Sequence, residues 1–216
     1  GVFKIIEDGI LSSYCIDTDG VVNDESNTPN IKDTKKDLLV LENSNTKVYK
    51  FYDVKGIKEM NMIYLLEENA KFDYFFKTIS TGCEKYNMTI YHHALNTISN
   101  INNYGVNILK GSLTFNVSSF VTERNTNCTV EQNSRIINLT DNKCQITPNL
   151  FIDEYDVNAS HSAHIGTLNE NELFYMTSRG IDKKTAEKLL FTGLLIKDMP
   201  KYLISKIKRN INKYWR

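Results

Sequence analysis

The chain has 216 residues, enough for one domain, or one domain with an appendage, and for a sizeable hydrophobic core. It carries 26 Lys and Arg against 26 Asp and Glu, so no net charge attracts it to nucleic acid or to an anionic membrane. Its apolar runs are far shorter than the roughly 20 residues of a membrane-spanning helix, and its first residues do not resemble a secretory signal.

The N-terminal part predicts short strands on either side of a polar segment. Apolar runs at Val2–Ile6 and Leu38–Leu41 favour strands. Residues 17–37 are rich in Asp, Asn, Thr and Lys and include Pro29, a composition typical of a loop.

From residue 47 to residue 157, alternating runs rich in β-branched and aromatic residues predict many short strands. No Asn-Gly or Asp-Gly pair between these runs marks a tight hairpin. The residues alone fit a β-sandwich and a β-solenoid about equally. Abundant Asn between the runs favours the solenoid, because Asn tolerates left-handed turns and forms ladders between stacked coils. The predicted strands are Lys47–Val54, Lys71–Ile79, Asn87–His93, Gly105–Leu109, Ser112–Val117, Arg135–Leu139 and Leu150–Val157.

After residue 166 the pattern changes to that of helices. Asn169 and Glu172 form an Asn-x-x-Glu capping box, and Gly180 stands where a left-handed glycine ends a helix. Asp182 is the predicted N-cap of a second helix over residues 183–195.

Pro200 begins a third predicted helix, which carries an apolar stripe. From residue 182 onward, ten Lys and Arg stand against three Asp and Glu. This excess predicts a solvated charged face or, less often, a docking surface for an acidic partner anchored by Tyr214 and Trp215. The stripe consists of Leu203, Ile207, Ile211 and Tyr214.

The four cysteines contain no C-x-x-C pair, so their spacing does not predict a zinc finger. Scattered cysteines in a chain of this length favour reduced thiols, most of them buried as small apolar side chains. A cluster site completed across a dimer is the less favoured alternative. The cysteines are Cys15, Cys83, Cys128 and Cys144.

Familiar catalytic motifs are absent: the chain has no Walker A, G-x-S-x-G or H-E-x-x-H sequence. The adjacent His92 and His93 point to opposite faces of a strand and cannot both bind one ion. His161 and His164 lie in the small-residue segment 159–166, which predicts an extended bend. From the residues alone, structural histidines are favoured over metal ligands.

A series of spaced motifs runs from about residue 130 to residue 195. Upstream these are Gln132-Asn133-Ser134-Arg135, Leu139, Pro148-Asn149-Leu150 and Asp156-Val157. Downstream they are His161-Ser-Ala, Ile165-Gly166, Leu168-Asn169-Glu170, Leu173-Phe174-Tyr175 and Ser178-Arg179-Gly180-Ile181. This series resembles the SufB/SufD family, the scaffold proteins of the SUF system for iron–sulfur cluster assembly.

The resemblance implies a mainly β fold. We therefore expect a right-handed parallel β-helix core over residues 1–165, followed by a small C-terminal α-helical region over residues 166–216. The longer family members have an additional N-terminal region, so we expect a minimal form or a fragment.

The resemblance further implies a non-catalytic scaffold subunit whose partners are a SufC-type ABC ATPase and either a SufB-type subunit or a second copy. An iron–sulfur cluster would be held transiently in the complex, and none in the isolated chain. His161 is the expected residue of the cluster-assembly interface, where a neutral imidazole can bind iron. Leu173, Tyr175 and Arg179 are expected to frame the helix that docks the ATPase.

Ala159 departs from the SufB pattern, which has a cysteine at the corresponding position. Alanine provides no thiolate for sulfur transfer, so the chain is expected to be SufD-like. Two other functions stay open: a structural β-solenoid binding module without metal chemistry, and a β-helix carbohydrate-active enzyme with carboxylates clustered on one face. The expected location is the cytoplasm or the plastid stroma, because SUF systems occur in both.

Overall fold

The structure, a computed structural model, describes residues 2–7, 10–15, 21–23, 34–40, 43, 45–54 and 57–215. Within these ranges the chain forms strands β1 to β13 and helices α1 to α3. The strands are β1 Val2–Glu7, β2 Ile10–Cys15, β3 Val21–Asn23, β4 Thr34–Val40, β5 Asn45–Val54, β6 Ile57–Leu66, β7 Lys71–Ser80, β8 Cys83–His92, β9 Ile98–Asn107, β10 Ser112–Val121, β11 Cys128–Asn138, β12 Gln145–Ile152 and β13 Val157–Gly166. The helices are α1 Glu170–Ser178, α2 Lys183–Ile196 and α3 Lys201–Tyr214.

The strands wind into a parallel β-solenoid of about four turns. One sheet has the order β12-β10-β8-β6-β4-β1-β2, and the other has the order β13-β11-β9-β7-β5-β3. Pairings among β3 to β13 are parallel and join strands two elements apart, so each coil lies directly on the one before it. The predicted mainly β solenoid is confirmed and the sandwich is rejected, whereas the right-handed winding stays a prediction.

Asparagines at one corner form a ladder between coils, as the composition predicted. Asn69, Asn96 and Asn127 each donate from Nδ2 to the Oδ1 of the ladder residue one coil before, at 2.9, 2.9 and 2.8 Å, and Asn43 is the first acceptor. All four residues have φ between 54° and 58°, the left-handed region that Asn tolerates better than most residues. The same side chain therefore fits the turn and joins the coils.

Large side chains fill the space between the two sheets. Alternate residues of β7 point inward, and Phe72, Tyr74 and Phe76 are fully buried there. The Phe76 ring lies 4.6 Å, centroid to centroid, from that of Tyr86 in the opposite sheet. Burial of each such side chain contributes about 1.5–3 kcal/mol, which favours the stacked coils over an open chain.

The two longer helices cover the outer face of the six-stranded sheet. Phe51, Ile79 and Val106 point outward from β5, β7 and β9 and pack against Phe191 of α2 and Ile207 of α3. At the end of α3, the Tyr214 hydroxyl donates to Asp53 Oδ1 at 2.6 Å, which fixes the helix to β5. No helix in the described ranges is long and apolar enough to cross a bilayer.

The predicted capping residues stand at the ends of α1 and at the start of α2. The Asn169 side chain accepts from the Asn171 and Glu172 backbone N–H groups, and that of Asp182 accepts from the Thr185 N–H. Gly180 has φ +85° after α1, as the C-terminal glycine rule requires.

Three local predictions differ from the structure. Residues 21–23 and 34–37, inside the predicted loop 17–37, belong to β3 and β4, and residues 17–20 and 24–33 lie outside the described ranges. The single strand predicted over residues 150–157 is divided by a corner at residues 153–156. Residues 159–166 form a regular strand instead of a bend, because they pair in register with residues 130–137.

The cysteines only partly follow the prediction of burial. Cys128 is buried and Cys144 is half-buried, but Cys83 is exposed because its position in β8 faces outward. These three are free thiols, and the side chain of Cys15 lies outside the described part.

Candidate functional site

The last coil of the solenoid carries the candidate site. In the described structure β12 and β13 are the last strands of the two sheets at this end of the solenoid, and each pairs with a strand on one side only. An unpaired strand edge presents N–H and C=O groups that can bind another chain. The end of the solenoid is therefore open.

His161 lies on β13 with its side chain on the interior side. It is in register with Gln132 of β11, which is 1% exposed, and parallel strands place paired residues on the same face. Ala159, two residues earlier, packs against the buried cluster of Cys128 and Val130, which confirms the orientation of this face. His161 itself is exposed because no further coil covers it. The imidazole thus stands at the rim of the open end.

Polar groups line the interior beneath His161. Gln132 Nε2 donates to Ser119 Oγ at 2.7 Å and to the Asn149 carbonyl at 3.2 Å, while Gln132 Oε1 has no hydrogen-bond partner among the described residues. Asn103 donates to Ser134 Oγ at 3.4 Å. His161 therefore lies over polar interior side chains and not over the aromatic core.

His161 and His164 do not form a shared site. Three residues apart on a strand, their side chains leave opposite faces. His164 borders an outer pocket with Arg135, whereas His161 faces the interior. Across the described residues no three His, Cys, Asp or Glu side chains come close enough to hold a metal ion. Within the described residues His161 can therefore provide one ligand and not a complete metal site.

The predicted docking residues lie on α1, which packs loosely. None of its residues is fully buried, and Phe174 and Tyr175 are 72% and 59% exposed. The Arg179 guanidinium lies 5.1 Å from the centre of the Tyr175 ring, within cation–π range. Leu173 is half-buried. The helix therefore presents two aromatic rings and a cation to solvent.

Sequence reasoning missed several buried ionisable groups. Lys77 is fully buried over the Tyr104 ring, with Nζ 3.6 Å from the ring centre, and burial lowers its pKa to about 7. Glu84 and His92 are inside the solenoid. For Glu84 and His92 the sequence offered a signal, because both are polar residues at inward positions of an alternating strand. It offered none for Lys77, which points outward and is buried by the helices.

Fold and site together define a capped β-solenoid with an open terminal coil. Residues 21–194 match the family described as "SUF system FeS cluster assembly, SufBD core domain". Because the match covers most of the chain, this protein belongs to the SufB/SufD family. Membership supports a role in iron–sulfur cluster assembly.

Curated relatives agree with this family. The chain is 31% identical over 148 residues to the iron-sulfur cluster assembly protein SufD of Bacillus subtilis (strain 168), covering 62% of this chain and 34% of the relative. It is 48% identical over 48 residues to the protein ABCI7, chloroplastic, of Arabidopsis thaliana, covering 22% of this chain and 10% of the relative. A SufBD family protein of Pyrococcus horikoshii is 38% identical over 64 residues, 28% of this chain and 14% of the relative. The chain thus spans about a third or less of the length of these relatives.

Proposed function

We propose that this chain is a SufD-like, non-catalytic scaffold subunit of iron–sulfur cluster assembly, acting with a SufC-type ABC ATPase in the cytoplasm or the plastid stroma. The observation that carries the proposal is the open terminal coil with an imidazole at its rim. Ala159 supports the SufD-like assignment, because no thiolate stands beside His161 to accept sulfur.

The partner at the open coil would be a SufB-type subunit or a second copy. Backbone groups on the free sides of β12 and β13 would pair with strands of that subunit. The exposed apolar side chains of Phe151 and Ile165, 49% and 42% exposed, would become buried in the same contact.

The iron–sulfur cluster is the cargo of this interface. His161 would bind iron as a neutral imidazole, and the partner subunit would supply the remaining ligands. A single exposed imidazole binds a metal weakly. We therefore expect the isolated chain not to retain a cluster.

The ATPase would dock on α1. Exposed aromatic residues and Arg are the side chains most often found at the centres of protein interfaces, and Tyr175 and Arg179 stand side by side. Half-buried Leu173 would anchor the helix between α2 and the partner.

The first experiment is anaerobic co-expression with a SufB-type subunit and a SufC-type ATPase, followed by iron and sulfide analysis of the purified complex. We expect His161→Ala to leave the complex intact and to lower its iron content at least severalfold, because one ligand is lost. His93→Gln, which removes an exposed imidazole from another corner, is the matched control and should keep the iron.

Three outcomes of this experiment would count against the proposal. Full iron content in the His161→Ala complex would reject the ligand role. A stable complex without iron or sulfide would favour the structural binding module. Failure of any complex to form would reject the scaffold function.

The second experiment tests docking on α1 by affinity co-purification of the ATPase. We expect Tyr175→Ala to weaken the complex by roughly tenfold or more, as truncation of a central aromatic residue costs about 2 kcal/mol. Leu189→Ala on α2, which removes a side chain that is 49% exposed, is the control and should bind normally. Equal binding of the ATPase by Tyr175→Ala and Leu189→Ala would show that the ATPase does not dock on α1.

The carbohydrate-active alternative has no support from the register. In the described strand pairings, no Asp or Glu lies in register with another Asp or Glu on a neighbouring strand. Glu59 instead bonds Lys85 at 2.8 Å, and Asp73 accepts from Asn100 at 2.7 Å. A glycosidase needs two carboxyl groups flanking one bond, which these partners do not provide.

A further inference from the structure

A row of three basic side chains and one tyrosine crosses four strands on the outer face of the six-stranded sheet. Lys77 of β7 is in register with Tyr104 of β9, Tyr104 with Arg135 of β11, and Arg135 with His164 of β13. Neighbouring strands lie about 4.8 Å apart, so Arg135 and His164 are adjacent. The row contains no carboxylate.

A pocket of about 370 Å³ opens at the His164 end of this row. Its lining side chains are polar or aromatic, and none is acidic. The residues that line it are Tyr104, Asn133, Ser134, Arg135, Ser162 and His164. A volume of this size lies within the range of small-ligand sites.

Arg135 is only half-buried, yet its Nε is fully covered and has no hydrogen-bond partner within the described ranges. A covered guanidinium N–H without an acceptor is destabilising, because the group has lost its hydrogen bonds to water. Arg135 also lines the pocket, so the exposed part of its guanidinium can donate to an acceptor bound there.

Gly166 leaves space for the His164 ring. A Cβ built on Gly166 would lie 3.0 Å from His164 Nε2, so the missing side chain at residue 166 leaves space for the ring. The carboxylates of this outer face lie outside the row: Asp73 accepts from Asn100, Glu131 is exposed two positions before Asn133 on β11, and Asp198 of the α2–α3 loop acts on Lys77. None of them lines the pocket. The pocket therefore keeps a positive character.

We propose that this pocket binds a phosphate group, with Arg135 as its central ligand. The pocket offers more hydrogen-bond donors than the two oxygens of a carboxylate can use, and they match a phosphate. The donors are the guanidinium of Arg135, the Asn133 amide, the Ser162 hydroxyl and the His164 ring. The volume exceeds that of one phosphate, so an ester such as a sugar phosphate fits as well as the free ion. The pocket lies on the outer face of β13, opposite His161, so this proposal does not rest on the cluster-assembly function.

The test is calorimetric titration of the purified chain with inorganic phosphate, ribose 5-phosphate and acetate at constant ionic strength. We expect saturable binding of phosphate with a Kd of about 1 mM or tighter and no binding of acetate. Tighter binding of ribose 5-phosphate would identify an ester as the ligand, and equal binding would identify free phosphate; both support the pocket.

Arg135→Gln should weaken phosphate binding by about tenfold or more, because a charge-assisted hydrogen bond is lost. Arg209→Gln, an exposed arginine on α3, is the matched control and should bind as the unaltered chain does. Ser162→Ala changes only an exposed hydroxyl and should weaken binding a few-fold, so it tests the site if Arg135→Gln does not fold. The proposal is overturned by absent or non-saturable binding, by equal binding in Arg135→Gln, or by acetate binding as well as phosphate.

Discussion

Inside the solenoid, burial holds the pKa of the Glu84 carboxyl well above its usual value. It is 3% exposed, and its Oε2 accepts from Tyr86 OH at 2.8 Å and from Thr78 Oγ1 at 3.2 Å. Burial raises its pKa to about 7, and the hydrogen bonds reduce the shift only in part. Between about pH 4.5 and pH 7 the folded chain holds a proton that the unfolded chain has released, so this group lowers the free energy of unfolding as pH rises.

His92 acts in the opposite direction. Its Nδ1 lies 2.6 Å from Thr97 Oγ1 and its Nε2 lies 2.9 Å from Ser99 Oγ. Burial lowers its pKa to about 4, below the usual value near 6.5. Between these two values the unfolded chain binds a proton that the folded chain does not, so this group lowers the free energy of unfolding as pH falls.

We therefore predict that two substitutions reveal opposite pH dependences. From about pH 6.5 to pH 4.5, Glu84→Gln should lose roughly 2 kcal/mol of stability relative to the unaltered chain, and His92→Gln should gain a similar amount. Urea unfolding at both pH values measures the difference. Lys77, with its pKa lowered to about 7, titrates mainly above this window and does not disturb the comparison.

The two variants serve as each other's control, because they remove groups from the same core. Identical changes in stability with pH for both variants and the unaltered chain would contradict the pKa shifts of Glu84 and His92.

At the scale of the element, the corner ladder joins successive coils through one residue type. Asn96 donates to Asn69 and accepts from Asn127, so it is an inner member with two side-chain bonds. Its φ of 58° adds a second requirement, because most other residues are strained in this region.

We predict that Asn96→Ala lowers the free energy of unfolding by roughly 3 kcal/mol, since it loses both bonds and gains backbone strain. Asn96→Gly loses the bonds without the strain and should cost about 1–2 kcal/mol less. Chemical denaturation of the two variants separates the contributions. Asn158→Ala on exposed β13 is the control and should change stability by less than about 0.5 kcal/mol; equal costs for Ala and Gly at residue 96 would argue against a strained turn.

At the scale of the whole molecule, alternation and asparagine content predicted the strands and leaned towards a solenoid, because each coil repeats the same local rules. The resemblance carried by the motifs around His161 decided between solenoid and sandwich. The capping residues predicted the helices, since a cap is a local hydrogen bond. These features depend on neighbours in the sequence and are therefore readable from it.

Long-range placement could not be read in the same way. The corner at residues 153–156 is fixed by pairing with the previous coil, and Lys77 is buried only because the distant helices cover its strand. The pocket around Arg135 depends on the register of three strands. Such contacts arise between residues about 30 positions apart, for which the local pattern contains no information.

The two ends of the described solenoid differ, and this has a consequence for stoichiometry. In the seven-stranded sheet parallel stacking stops at β4, because β1 pairs with β4 in the antiparallel direction, and in the six-stranded sheet it stops at β3. At the other end both last strands, β12 and β13, continue the parallel stack and have free edges. Two solenoids joined through their β12 and β13 ends would be related by a two-fold or pseudo-two-fold axis and would leave no further end of that kind. Growth would then stop at a closed pair and would not continue into a filament.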